Sequence, residues 1–255
     1  MEILEKRIAL LGDVHANLPA LEAVLSHAKS LGVSMYWNIG DFVGYNAFPD
    51  QVVKRMQEKK FCNIIGNYDI KVLKFPQKEK KWRKNKQAQK WMAFQWAYQN
   101  LSPESRAYLA SLPEERRLVV GDQEFLLVHA SPLSNEEVLD KSTPDERLWE
   151  LKNIAEHNYE AEFAAIVCGH SHEAFTRRIG NTLFINTGSV GRPGDGNPRA
   201  AYAILQITGT RLQVSHYRLN YEIGEAVKAI RKNGLPKAFG EMLIHGRDLE
   251  WVLEH

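Results

Sequence analysis

Residues 7–15 read Arg7-Ile8-Ala9-Leu10-Leu11-Gly12-Asp13-Val14-His15. An apolar run without polar alternation is the pattern of a strand buried on both faces. It stops at a glycine, and two side chains with lone pairs follow at once. Working outward, Leu18, Leu21, Leu25, Ala28 and Leu31 recur at helical spacing. Asn17 suits the N-cap, Pro19 the first turn, and Gly32 stands past the end. Val33 to Ile39 reads as a second strand ending at Gly40-Asp41. Pro49 opens a short helix with Val52, Val53 and Met56 inward. Phe61 to Ile65 reads as a third strand, ending at Gly66-Asn67. This strand–helix rhythm predicts parallel strands joined by crossover helices.

The rhythm then breaks. Residues 70–115 lack β-branched runs and read as an inserted helical region or lid. Lys71 to Lys90 is dense in lysine, with Trp82, Trp91 and Trp96 in or just after it. Interleaved aromatics and lysines are a nucleic-acid signature. However, Trp91, Phe94 and Tyr98 fall three and four apart, which favours a solvated helix packing that stripe on the core. Between these lies a lid whose Lys80, Lys81 and Lys84 attract anionic substrates.

Strands resume at Leu118-Val119-Val120. A turn at Gly121-Asp122 precedes Glu124 to Val128, which ends at His129. Leu148 to His157 reads as a helix. Ala164 to Cys168 is a buried strand ending at Gly169-His170. Phe175–Ile179 with Thr182–Asn186, and Ala201–Ile207 with Arg211–Leu219, read as hairpins. They predict mostly antiparallel strands in the second half. The expected division is a main domain over 1–220 that includes the insert, and a short-helix extension over 221–255 packed on it.

A chain of 255 residues with 44% hydrophobic and 25% charged content is ordinary for a globular protein. A net charge of +2 is too mild for nucleic-acid binding by the whole molecule. The N-terminus, with early acids and no long apolar stretch, predicts no signal peptide. No apolar run approaches the roughly 20 residues of a membrane helix. Cys62 and Cys168 read as small buried hydrophobes rather than a disulfide. The expected setting is cytoplasmic.

Asp13, His15, Asp41, Asn67, His129, His170 and His172 each follow a strand-like run. In an open sheet the loops after the strand C-termini are where ligands converge. In extended backbone Asp13 and His15, two apart, would leave on one face and reach one ion, and so would His170 and His172. Oxygen and imidazole donors without thiolate suit Mn, Fe, Zn or Ni. Seven donors exceed one ion's needs, so two ions about 3.5–4 Å apart sharing a carboxylate fit better. Taken singly, such an Asp is a turn residue and such a His is surface. His27, His157, His216, His245 and His255 read as that background.

The order D-x-H, G-D, G-N-x-D, a lone H and G-H-x-H resembles the calcineurin-like metallophosphoesterase superfamily, over about Arg7 to Leu219. Gly40-Asp41-Phe42-Val43-Gly44-Tyr45 and Asn186-Thr187-Gly188-Ser189-Val190-Gly191 are similar to its small bacterial and archaeal branch. The resemblance implies an α/β (α+β) fold, a four-layer αββα sandwich of two mixed sheets flanked by helices. It implies two divalent metal ions, one on Asp13, His15 and His172, the other on Asn67, His129 and His170, with Asp41 bridging. A hydroxide between them attacks phosphorus in line. Asp69 orients its neighbours. The partner is a small anionic phosphoester.

One position departs. Where the family commonly has His after Asn, this chain has Tyr68, a poorer proton donor near neutral pH. That tilts the expected activity toward phosphodiesters. The alternatives are a phosphomonoesterase, acting on protein or nucleotide, and a metal-binding scaffold without chemistry. For Tyr68 the bland reading is a ring packed beside the site. Arg192 reads either as a phosphate contact or as a surface residue of a Gly/Pro-rich loop. Asn17 is adequately explained as a cap.

Overall fold

The computed structural model describes residues 5–58 and 60–255. Ten strands form two five-stranded sheets. The first has the order β10 (Arg211–Leu219), β9 (Ala200–Thr208), β1 (Glu5–Leu11), β2 (Met35–Asn38) and β3 (Phe61–Asn63). The second has the order β4 (Glu115–Val120), β5 (Gln123–Val128), β6 (Ala165–Cys168), β8 (Thr182–Asn186) and β7 (Phe175–Ile179).

Both sheets are mixed. β1, β2 and β3 run parallel, as the crossover pattern predicts. The hairpin β9–β10 adds antiparallel to β1 on its other side. In the second sheet β5, β6 and β8 are parallel, with β4 and β7 antiparallel at the edges. Among the described residues four of the six pairings made by these later strands are antiparallel, as expected, and the two parallel ones join β5, β6 and β8. A hairpin specifies only its own pairing, and the strand on its far side is chosen by packing.

Why apolar runs lack alternation becomes clear from the layers. Ile8 and Leu10 point between the sheets, with Trp37, Ile39, Phe125, Leu127, Val167 and Ile185. Ala9 and Leu11 point the other way, onto α1 (Leu18–Ser30) and α2 (Pro49–Met56). The outer face of the second sheet is covered by α7 (Asp145–Tyr159) through Leu148, Leu151 and Ala155. Helix, sheet, sheet and helix thus make the four layers of an αββα sandwich, with both faces of each central strand buried.

The insert is α3 (Asn67–Leu73), α4 (Phe75–Asn85), α5 (Ala88–Gln99) and α6 (Pro103–Ser111). Phe94 is buried, and Trp82, Trp91 and Tyr98 pack partly buried around the same core. Lys86 lies over the ring of Trp82, 5.3 Å from its centroid, and the ring packs 5.2 Å from that of Phe94. The C-terminal helices are α8 (Ile223–Lys232), α9 (Lys237–His245) and α10 (Leu249–Glu254). Their apolar faces form a cluster with Tyr45 and Ala93. Among the described residues no helix is long and apolar enough to cross a membrane. Both cysteines are free, and Cys62 is partly exposed rather than buried.

Strand ends differ from expectation by a few residues. β2 and β3 stop at Asn38 and Asn63 rather than Ile39 and Ile65. The residues beyond remain bonded as loops, with Ile39 N donating to Leu11 O and Ile64 N to Asn38 O. Every loop that carries a candidate ligand leaves the same edge of the sandwich.

Candidate metal centre

Asp13, His15, Asp41, Asn67, His129 and Asp69 are all buried, at most 4% exposed. Burying so many polar groups is costly unless they are paired or bind an ion. Two groups of side chains each bring three ligand atoms within 4.8 Å of one another: Asp13, His15 and His172, and Asp13, Asp41 and His129. Asp13 belongs to both. Asp41 Oδ2 is 3.6 Å from His15 Nε2 and 3.6 Å from His129 Nε2. Asp41 therefore sits midway between two histidines of different groups, and its Oδ1 accepts from Tyr68 N at 2.8 Å.

The histidines are aimed by backbone carbonyls. Nδ1 of His129 lies 2.8 Å from Ile39 O, that of His172 2.6 Å from Arg192 O, and that of His15 3.3 Å from Val43 O. A ring that donates through Nδ1 keeps its Nε2 lone pair free for a ligand bond. His129 Nε2, Asp13 Oδ1 and Asn67 Oδ1 are buried and have no hydrogen-bond partner. Orphaned acceptors of this kind, converging from three loops, fit a cation.

His170 belongs to neither group of three. The His170 ring is 5.2 Å from that of His129, and its backbone N–H donates to Asp13 Oδ2 at 3.1 Å. His172 Nε2 is instead 3.2 Å from His15 Nε2 and 3.2 Å from Asp13 Oδ1. The two histidines of the G-H-x-H motif thus face different neighbours. Extended backbone is not the reason. Asp13, His15, Asp41, His170 and His172 all have positive φ, between 46° and 64°. Side chains rarely adopt this region, and such strain clusters at functional sites. Each left-handed residue swings its side chain off the strand direction.

Electrostatics match. Burial, and next the charge of Asp13, pushes the Asp41 carboxyl well above the usual carboxylate range. Burial would also raise Asp13, but His172 and the other imidazoles around it hold it below that range. Burial and then His172 push His15 well below the usual imidazole value. Burial and then His129 bring His170 down to about 4. The last two rings are therefore neutral at physiological pH, the form that ligates metal. Burial and the Asp41 charge bring Asp69 up to about 8. Its oxygens accept from Gly66 N at 3.0 Å and Val43 N at 3.1 Å, tying the β3 loop to the β2 loop.

Beside the centre lies a cavity of about 270 Å³, lined by Asp41, Tyr68, His170, His172, Arg192 and Asp248 among others. Lys80, Lys81 and Lys84 do not line it. Arg192 is half-buried, and its guanidinium lies over the Tyr45 ring, 4.1 Å from the centroid. Its Nε is buried without a partner. The Tyr68 hydroxyl is 2.6 Å from that of Tyr45. Burial, then the Tyr45 charge, drives the Tyr68 phenol well above its ordinary value.

Residues without lone-pair spacing hold the loops. Asn186 Nδ2 donates to Gly169 O at 2.9 Å and to Ser171 Oγ at 2.9 Å, bracing the G-H-x-H loop. Ser189 Oγ donates to Asp13 O at 2.8 Å. A Cβ on Gly191 would stand 1.8 Å from Val14 O, so only glycine fits. Asn17 caps α1 through Ala20 N and also donates to Gly191 O at 3.0 Å. The N-x-G-S-x-G segment carried the signal for these braces; Tyr45 stands in a segment the resemblance includes, with no role of its own readable there.

The family model for the calcineurin-like phosphoesterase superfamily domain matches residues 7–210, and the chain belongs to that family. It is a metal-dependent phosphoester hydrolase. A metallophosphoesterase from Sphaerobacter thermophilus is 30% identical, with TM-score 0.72, covering 95% of this chain and 100% of that one. An uncharacterized protein of Methanocaldococcus jannaschii is 30% identical over 260 residues, 96% of this chain and 100% of the relative. A hypothetical protein from Pyrococcus horikoshii shares the fold at TM-score 0.84 and 19% identity, covering 94% of this chain and 98% of that one.

Proposed function

We propose that this chain is a two-metal phosphodiesterase. Asp13, His15 and His172 hold one divalent ion, Asn67, His129 and His170 the other, and Asp41 lies between them. The single observation that carries this is the gathering of buried Asp13, Asp41 and His129 ligand atoms within 4.8 Å of one another, with His129 Nε2 unpartnered and both it and His15 Nε2 3.6 Å from Asp41 Oδ2. Two bound ions supply Lewis acidity and an activated water for in-line attack on phosphorus. Manganese, iron, zinc and nickel all suit the oxygen and imidazole donors.

The protein's own contribution is binding and orientation. Arg192 offers an unpaired planar cation beside the ligand cluster, suited to two phosphate oxygens. Arg192→Ala is expected to raise KM for a diester about tenfold, the worth of a charge-assisted hydrogen bond of about 1.5 kcal/mol, with kcat nearly unchanged. Steady-state kinetics check this, and an unaltered KM would remove Arg192 from the binding site.

Tyr68 favours diesters. Its phenol, raised by burial and bonded to Tyr45, is a poor acid near neutral pH. The leaving alcohol then departs with little protonation, which suits diesters with good leaving groups. Tyr68→Phe should lower kcat less than about tenfold, whereas loss of a working general acid costs roughly 10²–10⁴-fold. The second figure would reassign Tyr68 as the acid.

The whole reading is tested by comparing bis-p-nitrophenyl phosphate with p-nitrophenyl phosphate on one preparation, with Mn²⁺ added. Diester turnover should exceed monoester turnover and vanish with a chelator. The reverse preference would make the chain a phosphomonoesterase. Absence of any turnover across metals would leave a binding scaffold.

A further inference from the structure

Tyr45 belongs to neither ligand group, yet it touches each other part of the site. It is 1% exposed. Its ring stands edge-on to His15 at 5.9 Å and lies 5.3 Å from the Tyr68 ring. Phe239 of α9 packs against it at 5.1 Å, holding it from the side of the C-terminal helices. The Arg192 guanidinium covers its face at 4.1 Å, and its hydroxyl meets that of Tyr68 at 2.6 Å. The backbone commits to this arrangement. Tyr45 has φ +66°, a region that bulky residues avoid. The next residue is anchored to the metal loops, because Asn46 Nδ2 donates to His15 O at 2.8 Å.

Arg192 explains what the arrangement is for. Among the described residues it makes no ion pair, and its Nε has no partner. Its backbone is pinned, since its carbonyl accepts from the His172 ring and its N–H donates to Ser189 Oγ at 2.9 Å. Only the long side chain is free to wander, and the Tyr45 ring is the surface on which it rests. Stacking on an aromatic face holds a guanidinium plane in one orientation without using its N–H groups.

We propose that Tyr45 is a positioning residue for substrate phosphate. Its ring holds the Arg192 plane, so that the guanidinium meets the non-bridging oxygens of one phosphate. The proposal rests on the phosphoesterase reading of the site.

The test is a double-mutant cycle on the full, Mn²⁺-loaded chain, read by calorimetric binding of inorganic phosphate and by KM and kcat for bis-p-nitrophenyl phosphate. Tyr45→Leu is expected to weaken phosphate binding and raise KM about tenfold, as loss of a charge-assisted contact would, with kcat changed less and metal content unchanged. Tyr45→Phe keeps the stacking face and should recover most of that loss. In an Arg192→Ala background Tyr45→Leu should cost nearly nothing more, because its effect runs through Arg192. Tyr45→Met, which also lacks a π face, replaces the leucine variant if that one does not fold. The proposal is overturned if Tyr45→Leu binds phosphate like wild type, if Tyr45→Phe is as damaging, or if the two losses multiply. A wild-type chain that binds phosphate through Arg192 but hydrolyses no ester would sink the hydrolase reading and leave the clamp standing.

Discussion

Asp41→Asn is expected to reduce hydrolysis of bis-p-nitrophenyl phosphate by about 10²–10⁴-fold, the conversion of the roughly 3–5 kcal/mol lost when one partner of a buried charge cluster is removed. The reason is geometric. Oδ1 accepts from Tyr68 N, while Oδ2 faces His15 Nε2 and His129 Nε2 at 3.6 Å each. An asparagine that keeps the Tyr68 bond must turn its NH₂ toward His15 Nε2 and His129 Nε2, where the cations are proposed to bind. An amide nitrogen has no lone pair to offer a metal. Metal per chain, measured by mass spectrometry after gel filtration, should fall together with turnover. Full metal content with near-normal turnover would refute Asp41 as the shared ligand.

Gly66→Ala is expected to be nearly as damaging, although Gly66 carries no chemistry. A Cβ there would lie 2.2 Å from Asp41 N, 2.2 Å from Asp41 Oδ1 and 2.9 Å from Asp41 Cα. Two of these are backbone atoms of a loop already held in the left-handed region, so neither neighbour can swing aside. Overpacking of this kind costs about 3 kcal/mol. For a chain of this size that corresponds to roughly 6–12 °C in Tm. The displaced oxygen also belongs to the carboxylate proposed to be shared, so turnover should drop by at least about tenfold even below the melting range. Calorimetry and kinetics on the same sample check both parts. An unchanged Tm with unchanged turnover would show that the two loops are not in contact.

Much of this was legible beforehand because it depends on local chemistry. Apolar runs ending in glycine and a lone-pair side chain located β1, β2, β3, β5 and β6 to within a few residues. The helix signals at Asn17, Pro19 and Gly32 are local as well, and each stands where the spacing predicts. The aromatic stripe of the insert was readable from three-and-four spacing, and Phe94 is indeed buried.

What was misread depends on backbone conformation or on distant partners. Extended geometry would have sent His170 and His172 to one ion. Both residues have positive φ, a conformation no local sequence rule requires of histidine; His172 lies with Asp13 and His15, and the His170 ring lies beside that of His129. Arg192 read as either a surface residue or a phosphate contact because its loop is rich in Gly and Pro. Its stacking partner lies 147 residues away in the chain, as the numbers 192 and 45 show. Tyr45 stood in a segment that carries the resemblance but had no role assigned, since a buried tyrosine in an apolar stretch is ordinarily core.

By itself the sequence determined which donors exist, their order, and that each follows a strand. These follow from hydrophobic periodicity and side-chain chemistry, both properties of neighbouring residues. Only the tertiary structure decided which donors face each other, that Asp41 lies midway between His15 and His129, and that Tyr45 supports Arg192. Those facts depend on two sheets packing face to face, so that loops far apart in the chain meet at one edge. Such meetings are set by the summed burial of both sheets rather than by any stretch of residues.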